Sequence, residues 1–182
     1  MDQGSFHYIE GDLVSQHGNI KVYSMNNELF MEQDKQLIYS DLELSDYIWQ
    51  ISSKPFGNCL VLGLGLGVAT KYILSLNKVK KLTVVEESLD IINSQVDYGI
   101  IYDERLTAVR ENYITYLYTT KQKFDFIFLD CYSRITNETL PMIADLVAAA
   151  KRCVSNKGVL IGWMDMSTPE KLVNPFYGLF FS

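Results

Sequence analysis

From Asn58 onward the chain repeats one alternation: a short apolar run, then a stretch with helical spacing. No other feature restricts its fold as much. The apolar runs are Cys59 to Leu62, Leu82 to Val85, Leu106 to Val109, Phe126 to Leu129 and Gly158 to Trp163. Helical spacing covers Val68 to Leu76 and Asn137 to Val154, and Ser88 is placed to cap a helix after the second run. Strands that alternate with helices pair in parallel, because each crossover returns the chain to the same edge of the strands. Right-handed crossovers then leave doubly wound arrangements. The unbroken run Phe126 to Leu129 implies burial on both faces. The fold class is therefore α/β with a doubly wound, mostly parallel sheet.

The N-terminal zone has a different rhythm. Ile20, Val22, Phe30, Leu37 and Tyr39 mark short strands at period two, and Asn26-Asn27 and Asp34-Lys35 supply turns. This predicts a small antiparallel β-meander over Asn19 to Ser40. Leu44, Tyr47, Ile48 and Ile51 then recur at spacings of three and four, predicting a helix over Asp41 to Ser52. Pro55 and Gly57 mark the joint, so the chain divides into a meander and helix, 1–52, and an α/β domain, 53–182.

Bulk properties narrow the function. At 182 residues and 48% apolar content, one ordinary domain with a small appendage can bury a core. A net charge of −6 argues against a phosphate-backbone ligand, so no nucleic-acid partner is expected. Cys59, Cys131 and Cys153 match no zinc spacing, and their odd number rules out a complete disulfide framework. His7 and His17 stand apart from any Cys or acidic cluster, so no metal role is expected. No apolar run reaches the roughly 18 residues a bilayer demands, and the first 25 residues are too polar for a signal peptide. A soluble cytoplasmic protein without a membrane partner is the expectation.

The strongest local signal is Gly63-Leu64-Gly65-Leu66-Gly67, directly after the first apolar run and before a helix. Glycines let the chain bend sharply and let a ligand approach the backbone. In open α/β sheets, ligands sit beyond the carboxyl ends of the strands. The second run ends in Glu86-Glu87, about twenty residues on, where a carboxylate can accept from both ribose hydroxyls of a nucleoside. A dinucleotide turn needs Gly-x-Gly-x-x-Gly, whereas here one residue separates the second and third glycines. The spacing is instead similar to the Gly-x-Gly-x-Gly of class I methyltransferases.

Asn58 to Trp163 resembles the core of class I S-adenosylmethionine-dependent methyltransferases, and among them most the spermidine synthases, the polyamine aminopropyltransferases. "CLVLGLGLGVATKYIL" is similar to their first motif and "KKLTVVEES" to the second strand, with Glu86 at the acidic position. "ERLTAVRENYITYL" is similar to the third-strand segment, and "KFDFIFLDCYS" to the fourth strand with its loop. The meander resembles the family's N-terminal β-domain. The resemblance implies a Rossmann-like methyltransferase fold and S-adenosylmethionine or its decarboxylated form as cofactor. It further implies that Gly63, Gly65 and Gly67 shape the donor site, with Glu86 on the ribose and Asn112 facing adenine. Asp130 would be the catalytic residue and, with Tyr132 beside it at the crevice mouth, a cofactor contact. Tyr113, Tyr116 and Tyr118 cluster nearby, where packing is expected ahead of a role over the adenosine.

The departures are specific. Asn112 stands where the family usually has an acid; its carbonyl oxygen can accept, without charge. Ser133 stands where a second carboxylate completes the family's Asp-x-x-Asp pattern, and a serine is neither a general base nor an ionic hold for an ammonium group. Nineteen residues follow Trp163, too few for the two further strands such sheets normally add. Leu179 to Phe181 could supply one, so a C-terminally truncated sheet, with an edge that a homo-oligomer would cover, is expected. Asn174-Pro175-Phe176-Tyr177 resembles the Asn-Pro-Pro-Tyr motif of adenine amino-methyltransferases but follows the fifth run rather than the fourth, so a plain turn is expected. Two functions remain open. One is a transferase moving a methyl or aminopropyl group to a small-molecule acceptor. The other is a non-catalytic binding or scaffold protein that kept the fold and lost the acceptor site.

Overall fold

Turn chemistry sets the first layer. Asn26, Asn27, Asp34 and Lys35 all have positive φ, between 51° and 65°. Paired positive φ is the signature of two-residue hairpin turns whose twist matches the flanking strands. They join β2 (Ile20–Met25), β3 (Glu28–Gln33) and β4 (Gln36–Ser40), and β1 (Asp12–His17) adds a strand beyond the predicted meander. Only Ser15 of β1 is buried, so the strand carries no apolar alternation that sequence reading could catch. In this computed structural model, residues 11–40, 42, 44–96, 102–164, 168 and 170–173 are described. His7, the Asn174–Tyr177 motif and Leu179 to Phe181 lie outside them.

The α/β layer contains β5 (Gly57–Leu62), β6 (Val79–Glu86), β7 (Leu106–Arg110), β8 (Phe124–Leu129) and β9 (Val154–Gly162). Its helices are α1 (Leu44–Ile51), α2 (Val68–Ser75), α3 (Leu89–Val96), α4 (Tyr113–Thr119), α5 (Leu140–Lys151) and the short α6 (Glu170–Val173). The strands are parallel in the order β7-β6-β5-β8-β9. This is the doubly wound sheet that the alternation predicts. The order reverses between β5 and β8, and a crevice at such a reversal is where ligands enter open sheets. Cys59 to Leu62 and Phe126 to Leu129 are 0% exposed, as expected for central strands covered on both faces. The meander rests on α3, which touches β1 and β2. Among the described residues no helix is long and apolar enough to cross a membrane.

The strands β6, β8 and β9 begin earlier than the apolar runs alone indicate, at Val79, Phe124 and Val154, and both ends of α5 differ from the sequence reading. The helix predicted over Asn137 to Val154 begins at Leu140, because Thr136 and Thr139 form a turn of their own. Thr136 N donates to Thr139 Oγ1 at 2.8 Å and Thr139 N to Thr136 Oγ1 at 3.2 Å, and Pro141 then suits the first helical turn. The same helix ends at Lys151, because Phe124 N bonds the Cys153 carbonyl at 2.8 Å and draws that residue toward the sheet. Helix α1 also turns a different face inward. Tyr47, Gln50 and Ile51 are buried, whereas Leu44 and Ile48 are exposed.

Candidate functional site

The bend after β5 is held by backbone contact. Gly63, Gly65 and Gly67 have φ of 102°, 49° and 71°. A Cβ on Gly63 would stand 2.3 Å from the Asp130 carbonyl oxygen, so only glycine fits there. The ends of β5 and β8 thus meet at the sheet's reversal, with Asp130 N donating to Leu62 O at 2.8 Å and Gly63 N to Val85 O at 2.9 Å.

Glu86, the last residue of β6, is 4% exposed and reaches the bend. Its Oε2 accepts from Leu64 N at 3.0 Å. Its Oε1 accepts from Ser88 N at 2.8 Å and from the Tyr113 hydroxyl at 3.4 Å. Burying a carboxylate is costly unless hydrogen bonds compensate, and these donors do so. The convergence of glycines and carboxylate that the sequence predicts is present, and Glu86 braces the bend as well. Ser88 caps α3 as predicted, accepting from Ile91 N at 3.3 Å.

Asn112 lies beside this corner as the N-cap of α4. Its Oδ1 accepts from Thr115 N at 3.1 Å, and its Nδ2 donates to Glu87 Oε1 at 2.7 Å. Glu87 Oε1 also accepts from Tyr113 N at 3.3 Å. The oxygen expected to face adenine is therefore engaged in capping.

On the other side of the bend, Asp130 is buried and its Oδ1 accepts from the Tyr47 hydroxyl at 3.1 Å. Tyr47 stacks on Trp163 at 4.6 Å between ring centroids. Burial, and then the Asp130 charge, push the Cys131 thiol well above its usual range, so it is held protonated. Tyr132 is buried rather than open at the crevice mouth, and its hydroxyl has no hydrogen-bond partner among the described residues. Ser133 is exposed. Of the tyrosines after β7, Tyr116 is buried, while Tyr118 is exposed with the Arg152 guanidinium 4.8 Å over its ring. Lys78, Lys80 and Lys81 are exposed, as a solvated face would be.

Three tyrosines lie at this corner: Tyr39 and Tyr47, which the sequence does not point to, and Tyr113, for which packing is the expectation. A Cβ on Gly65 would be 3.0 Å from the Tyr39 ring, so Tyr39 of β4 lies against the bend. Tyr47 arrives from α1. Tyr113 reaches Glu86 from the start of α4, and burial first, then the charge of Glu86, raise its phenol far above the ordinary range. The tyrosine cluster after the third run was the available signal for Tyr113. Nothing local in the chain links Tyr39 or Tyr47 to the bend.

No protein-family model matches the chain. It is 27% identical to the polyamine aminopropyltransferase of Buchnera aphidicola subsp. Schizaphis graminum (strain Sg), over 58% of this chain and 39% of that protein. Spermidine synthase from Thermotoga maritima superposes with a TM-score of 0.66 at 16% identity, over 82% of this chain and 56% of that one. A spermidine synthase in complex with the transition state analogue AdoDATO gives 0.66 at 18% identity, over 81% and 56%. The chain therefore spans well under two thirds of the length of each of these relatives. The chain thus shares the fold of the spermidine synthases and, over 58% of its length, is similar in sequence to a polyamine aminopropyltransferase.

Proposed function

We propose that the chain binds an S-adenosylmethionine-type nucleoside at the β5–β8 reversal and transfers a group from it to a small-molecule acceptor, aminopropyl transfer being favoured over methyl transfer. One observation carries the reading: the buried Glu86 carboxylate lies against a glycine bend at the sheet's reversal. The sequence similarity to a polyamine aminopropyltransferase supports the aminopropyl form. The bend brings backbone close to the ligand and Glu86 accepts from ribose. When bound, the sulfonium supplies the activation of the carbon that is attacked. The protein's part is to align the acceptor and exclude water. Asp130, at the end of β8, orients the acceptor or holds its positive charge. Ser133 adds no second carboxylate, so acceptor binding rests more heavily on Asp130 than a paired-carboxylate site would require.

Calorimetry with S-adenosylmethionine, its decarboxylated form and methylthioadenosine tests this. Saturable binding of methylthioadenosine, with the decarboxylated donor preferred, is expected. A preference for S-adenosylmethionine would shift the assignment to methyl transfer. Failure of all three to bind would overturn the proposal in favour of a scaffold role.

A further inference from the structure

Glu86 has little acceptor capacity to spare. A carboxylate offers about four lone-pair positions. Leu64 N, Ser88 N and the Tyr113 hydroxyl take three of them. The two hydroxyls of a ribose need two. The backbone donors belong to the bend and to the start of α3, and neither can leave without unfolding the corner. The Tyr113 hydroxyl is on a side chain, and its 3.4 Å bond is the longest of the three. Tyr113 is only partly buried, whereas Glu86 is almost fully enclosed. Its backbone is anchored separately through Glu87, so the ring can turn without disturbing the N-terminus of α4.

We propose that Tyr113 stands in for a ribose hydroxyl: it holds an acceptor position of Glu86, must swing aside for a nucleoside to bind, and so sets affinity and ribose selectivity. This rests on the nucleoside reading above. The desolvated phenol stays protonated, so the contact persists across the ordinary pH range. The cost of breaking it is charged against every ligand that uses the ribose contact, and not against one that lacks the hydroxyls.

The test is Tyr113→Phe, which keeps the ring and removes only the hydroxyl. Adenosine and 2′,3′-dideoxyadenosine are titrated by calorimetry into the wild-type chain and the variant. The variant is expected to bind adenosine about fivefold more tightly, while dideoxyadenosine binding changes less than twofold. The preference for the ribose nucleoside should therefore widen. Merely loosened packing would move both ligands together. If adenosine binds the wild-type chain but the variant binds it equally or more weakly, the stand-in role is overturned and the nucleoside reading survives. If adenosine binds neither form, both fall.

Discussion

At the residue scale, Glu86 carries two duties that an alanine substitution would confuse. Truncation would leave the Leu64 and Ser88 amides without their acceptor, at about 1–3 kcal/mol for each one that stays buried. Lost ligand affinity could then reflect a collapsed bend. Glu86→Gln preserves size and one carbonyl acceptor while removing charge and turning an N–H₂ toward one existing donor. It is expected to cost about 1–2 kcal/mol in urea unfolding and to weaken methylthioadenosine binding about tenfold. An unchanged binding constant in the folded variant would take Glu86 out of the ligand site. The glycines and Glu86 were legible because their constraint is chain-local: a strand must end, bend and start a helix, and its neighbour must end beside it. Tyr39 and Tyr47 were not, because their place depends on how the meander and α1 dock. The capping of α4 by Asn112 was equally hidden, since helix α4 itself was not predicted.

At the element scale, α1 behaves as a clamp across the end of the sheet. Gln50 Nε2 donates to Met164 O at 2.8 Å and Met164 N donates to Gln50 Oε1 at 3.0 Å, so the side-chain amide pairs with backbone as a neighbouring strand would. This explains why a polar residue takes the buried stripe in place of Leu44 or Ile48, which sequence spacing favours: apolar periodicity cannot register a satisfied amide. Gln50→Leu strands both backbone groups of Met164 and is expected to cost about 2–4 kcal/mol in urea unfolding. Amide exchange at Met164 should accelerate more than at central β8. A loss below about 0.5 kcal/mol would show that the clamp contributes nothing, as for an ordinary surface change. The central strands were readable from their apolar runs alone. The α5–β9 junction was not, because the Thr136–Thr139 turn and the Phe124–Cys153 bond are decided by partners that periodicity does not encode.

At the scale of the whole molecule, the two zones read from the sequence, 1–52 and 53–182, share their most informative contacts. Tyr47 meets Asp130, Gln50 meets Met164, Tyr39 lies on Gly65, and α3 supports β1 and β2. Each contact buries groups that would lose a partner if the zones separated, and Tyr39 and Tyr47 belong to the candidate site itself. Undocking the meander would uncover the bend and release Asp130 from Tyr47, so the site cannot outlast the interface. Separation should therefore coincide with unfolding of the sheet, in one cooperative transition. Trp163, stacked on Tyr47, reports the docked interface through fluorescence, whereas far-UV circular dichroism reports both sheets. Their urea midpoints are expected to coincide. A fluorescence transition at clearly lower urea than the circular dichroism transition would mean that the zones are independent. In that case Tyr39 and Tyr47 would be a removable cover over a crevice that the α/β unit forms by itself.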